Sequence, residues 1–488
     1  MLRTLSVAAL VVVATSWLSG SCGGGSETQD LADGKGPAEI GSDFEGEETV
    51  DVSGDSGADG AVEDAPGDAR QGDSADVPSD PCEWLGPECK AVVERGKFKI
   101  VYLHGTPYEM GVQHATLLKE QLIEGVAQIE GDLVLSTMKQ LAIESGLLAL
   151  AEERSLPEIL EECQGMADGA ADIGWDLENC LILNFGDVIV EFIQEGFPEA
   201  GNIQPACSQL VASGKATVDG ATYHLRLLDW SAIQFMIDNP VVFVRQPEGK
   251  LPHMFVGFPG NLSPYQGMNA AGLVSASNEI DPLDNSVHDS VGVSHVQLQA
   301  RLLAEAHDVE EAVAMVKSTD HMTLELFGMS DAKGGAIVEM APAAVGVRGQ
   351  AKGVVYGTNH FLAEETSLLD EEPAGKSSQL RFERLQQLVE PGGEMSFYGK
   401  LEPGVLVQIA RDRVNPKNGE VSPETEFDDG KSLATNGALY AVVFDPAKLR
   451  FWVAAGALPV PSQTFVGFSL GELLGLPGYE GATPEDIL

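Results

Sequence analysis

The chain changes texture at Cys207, and that boundary limits the folds open to it. Upstream, from about residue 107 to 185, the pattern is helical. Thr106-Pro107-Tyr108-Glu109 has the form of a capping box with proline at the first helical position, and it follows an apolar run, "KFKIVYLHG", that reads as a strand. Downstream, short apolar runs are bounded by Gly, Asp, Asn and Pro and read as strands: "ATYHLRLLDW", "HMFVGFPG", "GLVSASN", "TLELFGMSD" and "GAIVEMAP". Two segments, 294–318 and 377–390, have the spacing of amphipathic helices. A late hairpin turns at Asp445-Pro446. There is no internal repeat. Helices, then sheet, then helices and sheet again imply an α+β protein built in packed layers.

The folded part does not begin at residue 1. "MLRTLSVAALVVVATSWLSGSC" carries one early charge, Arg3, then an apolar run and small residues, the pattern of an export signal over residues 1–21. The run is too short and too abruptly ended for a membrane span. Its end at Cys22 resembles a bacterial lipoprotein signal, in which that cysteine is lipidated; the alternative is an ordinary cleaved signal. Residues 22–81 are Gly, Ser, Asp and Glu with almost no large apolar side chains. From residue 23 to 81, seventeen acids face only Lys35 and Arg70. Such a segment cannot bury enough surface to offset its ordering entropy, so it reads as a self-repelling acidic tether. The whole chain has a formal charge of −46, which argues against nucleic acid and anionic lipid surfaces as partners.

Six cysteines remain to be placed. Cys22 is the candidate lipid site. Cys82 and Cys89 flank a Gly-Pro turn in an exported chain and are expected to pair. Cys163 and Cys180 either pair or stay buried as small apolar groups. Cys207 has no obvious partner, which flags a reactive thiol.

Three chemistries compete for it. "GFSLG" at residues 467–471 matches a nucleophile elbow, but that triad needs a later histidine and the last one is His360, far upstream; Ser469 therefore reads as structural. The nine histidines are scattered, with no metal-binding spacing and no implied cofactor. An unprocessed thiol hydrolase would need His224 or His360 as base. The third route needs no histidine. If the Ala206–Cys207 bond is cut, the new chain end carries a thiol and an α-amine, whose pKa of about 7.7–8.0 lets it accept the thiol proton. A carboxylate can hold the ammonium and a guanidinium can favour the thiolate, roles open to Asp229 and Arg226. Three apart on a strand, these two face opposite sides and converge only if the strand bends or ends between them.

Seven motifs in one order resemble the N-terminal-nucleophile hydrolases of the penicillin V acylase and acid ceramidase type, and most closely the acyl-coenzyme A:6-aminopenicillanic acid acyltransferase-like branch. They are "HGTPYEMGVQHATLLKEQL", "LEECQGMADGA", Cys207-Ser208, "HLRLLDW", "GMNAAGLVSASNEI", "GTNHFL" and "SSQLRFERL". The resemblance spans about 96–460. It implies a four-layer αββα sandwich, with 82–206 as the helical part of the precursor and 207–488 as the catalytic part. It makes Cys207 the nucleophile, Arg226 and Asp229 its positioning groups, and Asn359 an oxyanion donor aided by a backbone N–H near Asn278. Arg381 completes a polar floor, with Arg384 as the second candidate. Ala115, Ala206 and Gln209 depart from the family pattern. The implied activity is cleavage of a small non-peptide amide, with release to water or an acceptor amine, by an enzyme tethered to the cell envelope through Cys22. The rivals are an inert binding lipoprotein on the same fold and the unprocessed thiol hydrolase. Trp230, Phe235 and Met236 are either acyl-pocket or core residues.

Overall fold

The computed structural model describes residues 91–196, 206–229, 234–283, 287–370, 376–425, 427 and 432–488. Cys22, Cys82, Cys89 and Trp230 lie outside the described residues.

Strands β1 (Val92–Arg95) and β2 (Phe98–Gly105) form a hairpin. A run of helices follows: α1 (Pro107–Leu117), α2 (Lys119–Gly131), α3 (Leu133–Ser145), α4 (Leu147–Arg154), α5 (Pro157–Gly169), α6 (Leu177–Asn184) and α7 (Gly186–Gly196). Then come β3 (Ser208–Gly214), β4 (Gly220–Asp229), α8 (Gln234–Asp238), β5 (Val241–Pro247), β6 (His253–Gly257), β7 (Gln266–Asn269) and β8 (Val274–Glu279). Helices α9 (His295–Glu305) and α10 (Val309–Lys317) lead to β9 (Glu325–Asp331), β10 (Gly334–Ala341), β11 (Ala344–Gly349) and β12 (Val354–Gly357). The chain ends with α11 (Lys376–Val389), α12 (Pro403–Ala410), β13 (Ala438–Asp445), β14 (Arg450–Ala454), β15 (Val466–Ser469) and α13 (Leu470–Leu473).

The strands make two sheets. One has the order β1-β2-β5-β6-β7-β8-β9-β10-β11, and the other β12-β3-β4-β13-β14-β15. Only the β2–β5 pair is parallel among the described ladders. Period-2 alternation sorts the side chains. Leu228, Val442, Phe444 and Phe451 of the six-stranded sheet meet Val242, Val244, Met254 and Val256 of the nine-stranded sheet in a shared core. Leu210, Leu225, Leu227 and Val443 point the other way, onto Leu385 and Leu388 of α11 and Leu406 and Val407 of α12. The far side of the nine-stranded sheet is covered by α1, α9 and α10. The architecture is the expected four-layer αββα sandwich.

The N-terminal motifs turn out to be packing devices. Thr106 and Glu109 form the expected capping box on α1. Helices α1 and α5 cross backbone to backbone: a Cβ on Gly111 would lie 2.1 Å from the Glu162 carbonyl oxygen, and one on Gly165 would lie 2.1 Å from that of Tyr108. His114 accepts from the Gly260 N–H at 3.0 Å, tying α1 to the turn after β6. Glu162 reaches Arg245 of β5 at 2.5 Å with both side chains buried. Cys163 and Cys180 form a disulfide between α5 and α6, which settles the choice the sequence left open.

Candidate active site

Cys207 sits immediately before β3, and it is buried and unpaired. The β3–β4 register sets Ser208 opposite Leu227 and Gln209 opposite Arg226. Cys207 therefore falls on the inner face, diagonal to Arg226, within reach of a long side chain. The Arg226 Nη2 lies 3.2 Å from the Cys207 sulfur. The guanidinium also donates to the carbonyls of Leu227 and Ser277, while its Nε is buried with no hydrogen-bond partner. The thiol points at the Asp229 carbonyl oxygen, 3.7 Å away.

Arg226 and Asp229 do converge, and the reason is local. β4 ends at Asp229, and its partner β13 is irregular at that point, pairing Ala438 with Asp229 but Tyr440 with Leu228. The bulge lets the Asp229 carboxylate turn so that Oδ2 accepts the Thr435 N–H at 2.8 Å. Its other oxygen, Oδ1, is buried with no hydrogen-bond partner. Burial raises the Asp229 carboxyl to about 7, against the opposing pull of Arg381, Thr435 and Arg226. A carboxyl raised in the fold holds its proton where the unfolded chain has lost it. The uncut chain is therefore predicted to lose stability as pH rises from about 4 to about 7. Denaturant midpoints of the Cys207→Ala chain across that window, with and without Asp229→Asn, measure the effect: the second substitution should flatten the decline, and equal slopes would refute the assignment.

Arg381 holds the other side of Cys207. Its guanidinium donates to the Cys207 carbonyl, to Ser208 Oγ at 3.0 Å and to Asn359 Oδ1 at 2.8 Å. Asn359 Nδ2 donates one hydrogen to the Glu279 carbonyl at 2.7 Å; an amide nitrogen has a second. Arg384 is engaged elsewhere, in a two-point pair with Asp412 at 2.8 and 2.7 Å. The Asn278 side chain is engaged by its neighbours. Its amide accepts from Gln209 at 3.0 Å and donates to the Thr358 carbonyl at 2.8 Å, so the side chain ties the two sheets together.

The competing bases are occupied. His224 meets Ser330 and Gln209, and burial takes its pKa to about 3. His360 meets Ser378 at 2.7 Å, and burial takes it to about 4. Ser469 is buried and caps α13 by accepting the Glu472 N–H, as a structural serine should. Phe235 belongs to the core between the sheets and packs against Gly125.

The sequence did not single out the remainder of the site. The cavity that Cys207 lines is shared with Arg226, Leu228, Asp229, Tyr265 and Ser277, and its remaining wall is Asp187, Glu279, His295 and Glu325. His295 is held between two carboxylates, Asp187 at 2.9 Å and Glu325 at 3.1 Å. Burial pushes Asp187 up, but His295 and the Ser294 hydroxyl outweigh it and hold the carboxyl below its usual range. A larger open depression, lined by Lys97, Gln234, Asp238 and Leu458, shares no residue with this cavity.

The family model described as acyl-coenzyme A:6-aminopenicillanic acid acyl-transferase matches residues 234–458. Over those residues the chain is similar to that family. Asn278, Asn359 and Arg381 fall inside the matched span, whereas Cys207, Arg226 and Asp229 precede it and stand on the geometry above. An uncharacterized protein of Archaeoglobus fulgidus is 29% identical over 285 residues, which cover 52% of this chain and 45% of that protein. Protein dcd1B of Dictyostelium discoideum is 25% identical over 163 residues, 32% of each chain. The chain thus spans less than half the length of these curated relatives. Among solved structures, a Caenorhabditis elegans ortholog of N-acylethanolamine-hydrolyzing acid amidase aligns with TM-score 0.35 and 13% identity, over 49% of this chain and 93% of that one. Penicillin V acylase from Agrobacterium tumefaciens aligns with TM-score 0.31 and 16% identity, over 51% and 83%. Likenesses of that degree decide nothing about chemistry.

Proposed function

We propose that the chain is a self-processing cysteine amidohydrolase or acyltransferase whose nucleophile is the N-terminal Cys207 of the cut protein. The observation that carries this reading is the company Cys207 keeps. A guanidinium stands 3.2 Å from its sulfur, and a buried carboxylate oxygen, Asp229 Oδ1, has no partner in the uncut chain. An unpaired buried oxygen is costly. A new α-ammonium group at Cys207 would supply its missing partner.

Processing would begin with the Cys207 sulfur adding to the Ala206 carbonyl. The C–N bond breaks, the thiol proton passes to the departing nitrogen, and water hydrolyses the resulting thioester. The freed α-amine then takes the thiol proton in each turnover, and Asp229 holds the ammonium. The thiolate adds to the amide carbonyl of a substrate. The ammonium returns its proton to the leaving nitrogen, and the thioester is released to water or an acceptor amine. The second hydrogen of Asn359 Nδ2 is the oxyanion donor of this scheme, a contribution of about 10²–10³ in rate for one such group. The cavity beside Cys207 measures about 20 Å³ in the uncut chain, enough for one water and no acyl group.

Export and lipid attachment at Cys22 belong to the same proposal and rest on residues 1–22 alone. Among the described residues no helix is long and apolar enough to cross a membrane.

Intact mass and N-terminal sequencing of the purified protein test the processing step. Two fragments, one beginning at Cys207, are expected. A single chain that still cleaves amides would overturn the N-terminal-amine mechanism.

A further inference from the structure

The cavity that Cys207 lines has a wall of carboxyl groups drawn from distant parts of the chain: Asp187 on α7, Glu279 at the end of β8 and Glu325 at the start of β9. Glu191, one turn from Asp187 on α7, lies outside the lining but adds its charge to theirs. The β8–β9 register places Glu279 directly opposite Glu325. Like charges facing each other across a ladder are destabilising, and more so when buried.

The available countercharge falls short. His295 bridges Asp187 and Glu325, and His288 lies 2.8 Å from Glu191. Asp187 is further satisfied by the Ser294 hydroxyl at 2.8 Å and the His295 N–H at 3.1 Å. The Arg226 terminal nitrogens donate to the sulfur and to backbone carbonyls, and the guanidinium forms no ion pair with these carboxyl groups. Two imidazoles thus face four carboxyl groups. Glu325 is fully buried, lines the cavity, and its Oε1 has no hydrogen-bond partner. Such groups in native proteins call for a missing partner. Burial, reinforced by their carboxylate neighbours, holds both Glu279 and Glu325 well above the usual carboxylate range. A bound cation would reverse that.

We propose that this wall is a subsite for a positively charged nitrogen, so that the substrate is a small amide bearing an ammonium group a few atoms from its scissile bond. The position of the subsite relative to the scissile bond rests on the proposed role of Cys207. An organic ammonium fits better than a metal ion, because no group of three or more His, Cys, Asp and Glu among the described side chains has the arrangement to hold one. The same wall disfavours amides that carry a carboxylate, and polyanionic thioesters such as acyl-coenzyme A.

Two readouts on the full-length protein test this. The first compares kcat/KM for N-acetyl-1,4-diaminobutane, neutral N-pentylacetamide and anionic N-acetyl-4-aminobutanoate, with 4-aminobutanoyl butylamide placing the ammonium on the acyl side. One of the two cationic amides should exceed the neutral one by about tenfold or more, the anionic one should be poorest, and Glu325→Gln should erase the cationic preference. The second is calorimetric binding of 1,4-diaminobutane, expected in the wild type and weakened in both Glu325→Gln and the milder, half-buried Glu279→Gln. Equal turnover of neutral and cationic amides, or diamine binding indifferent to both substitutions, would overturn the subsite. If no amide is cleaved, the failure lies with the role of Cys207, and diamine binding still decides the subsite.

Discussion

Replacing Cys207 with alanine should leave one uncut chain and reduce amide turnover by a factor on the order of 10⁴ or more, the scale seen when a nucleophile is deleted from a unit that works together. The fold should survive, because a buried sulfur exchanged for a methyl group removes little volume and only one weak donor, the thiol at 3.7 Å from the Asp229 carbonyl. Controls come from the three histidines nearest in role. His224 and His360 are already hydrogen-bonded away from the sulfur, and His295 has a carboxylate on each ring nitrogen. None of the three hydrogen-bonds the Cys207 sulfur, whose partners are Arg226 and the Asp229 carbonyl. Glutamine at His224 and at His360 should leave both processing and turnover within a few-fold, per folded molecule. Collapse of activity in either variant, with a folded chain and normal processing, would instead favour a thiol–imidazole enzyme.

The largest loss of stability is expected from Glu162→Ala. The variant leaves the Arg245 guanidinium in a site where it is 7% exposed, with Met110 sulfur at 3.8 Å and the Phe255 ring at 5.8 Å as its remaining neighbours. Breaking one side of a buried ion pair costs about 3–5 kcal/mol, a large share of the ~5–15 kcal/mol that holds a typical domain together. Replacing both members together, as Glu162→Leu with Arg245→Met, should recover most of that loss, because the penalty comes from the orphaned charge. Denaturant midpoints in the Cys207→Ala background, where the chain stays single, give both numbers. A loss under about 1 kcal/mol in the single variant would show that the pair is solvated.

Local features were legible in the sequence, and long-range ones were not. The capping box at Thr106, the alternation through β4, and the placing of Arg226 and Asp229 at a strand end each depend on residues close together in the chain. Arg381 was separable from Arg384 only by resemblance, and the fold explains why: Arg381 reaches the Cys207 carbonyl, whereas Arg384 has Asp412. At Asn278 the expectation concerns a backbone N–H. The motif that contains it reads correctly as a strand, and its side chain is hydrogen-bonded to Gln209. Gln209, a departure from the family pattern, is what occupies it. Its amide sits where a Cβ on Gly328 would come within 1.8 Å, so glycine across the sheets makes room for that link. The acidic wall had no local signature. Glu325 in "TLELFGMSD" looks like an outward strand residue, and His295 looks like the first residue of a surface helix. Only the crossing of β8, β9, α7 and α9 brings them to one cavity.

The parallel pairing of β2 with β5 reaches across the bond before Cys207. If that bond is severed, the nine-stranded sheet is shared between two separate polypeptides, with β1 and β2 of the first forming one edge beside β5 of the second, braced by the Glu162–Arg245 contact. The halves would stay together without a covalent link, and the assembled protein would keep its shape. What changes is its history. The uncut chain finds this topology as a single molecule, whereas two dissociated pieces would have to meet first, at a rate set by their concentration. The maturation that arms the enzyme would also leave it with a structure it could no longer regain unaided at high dilution.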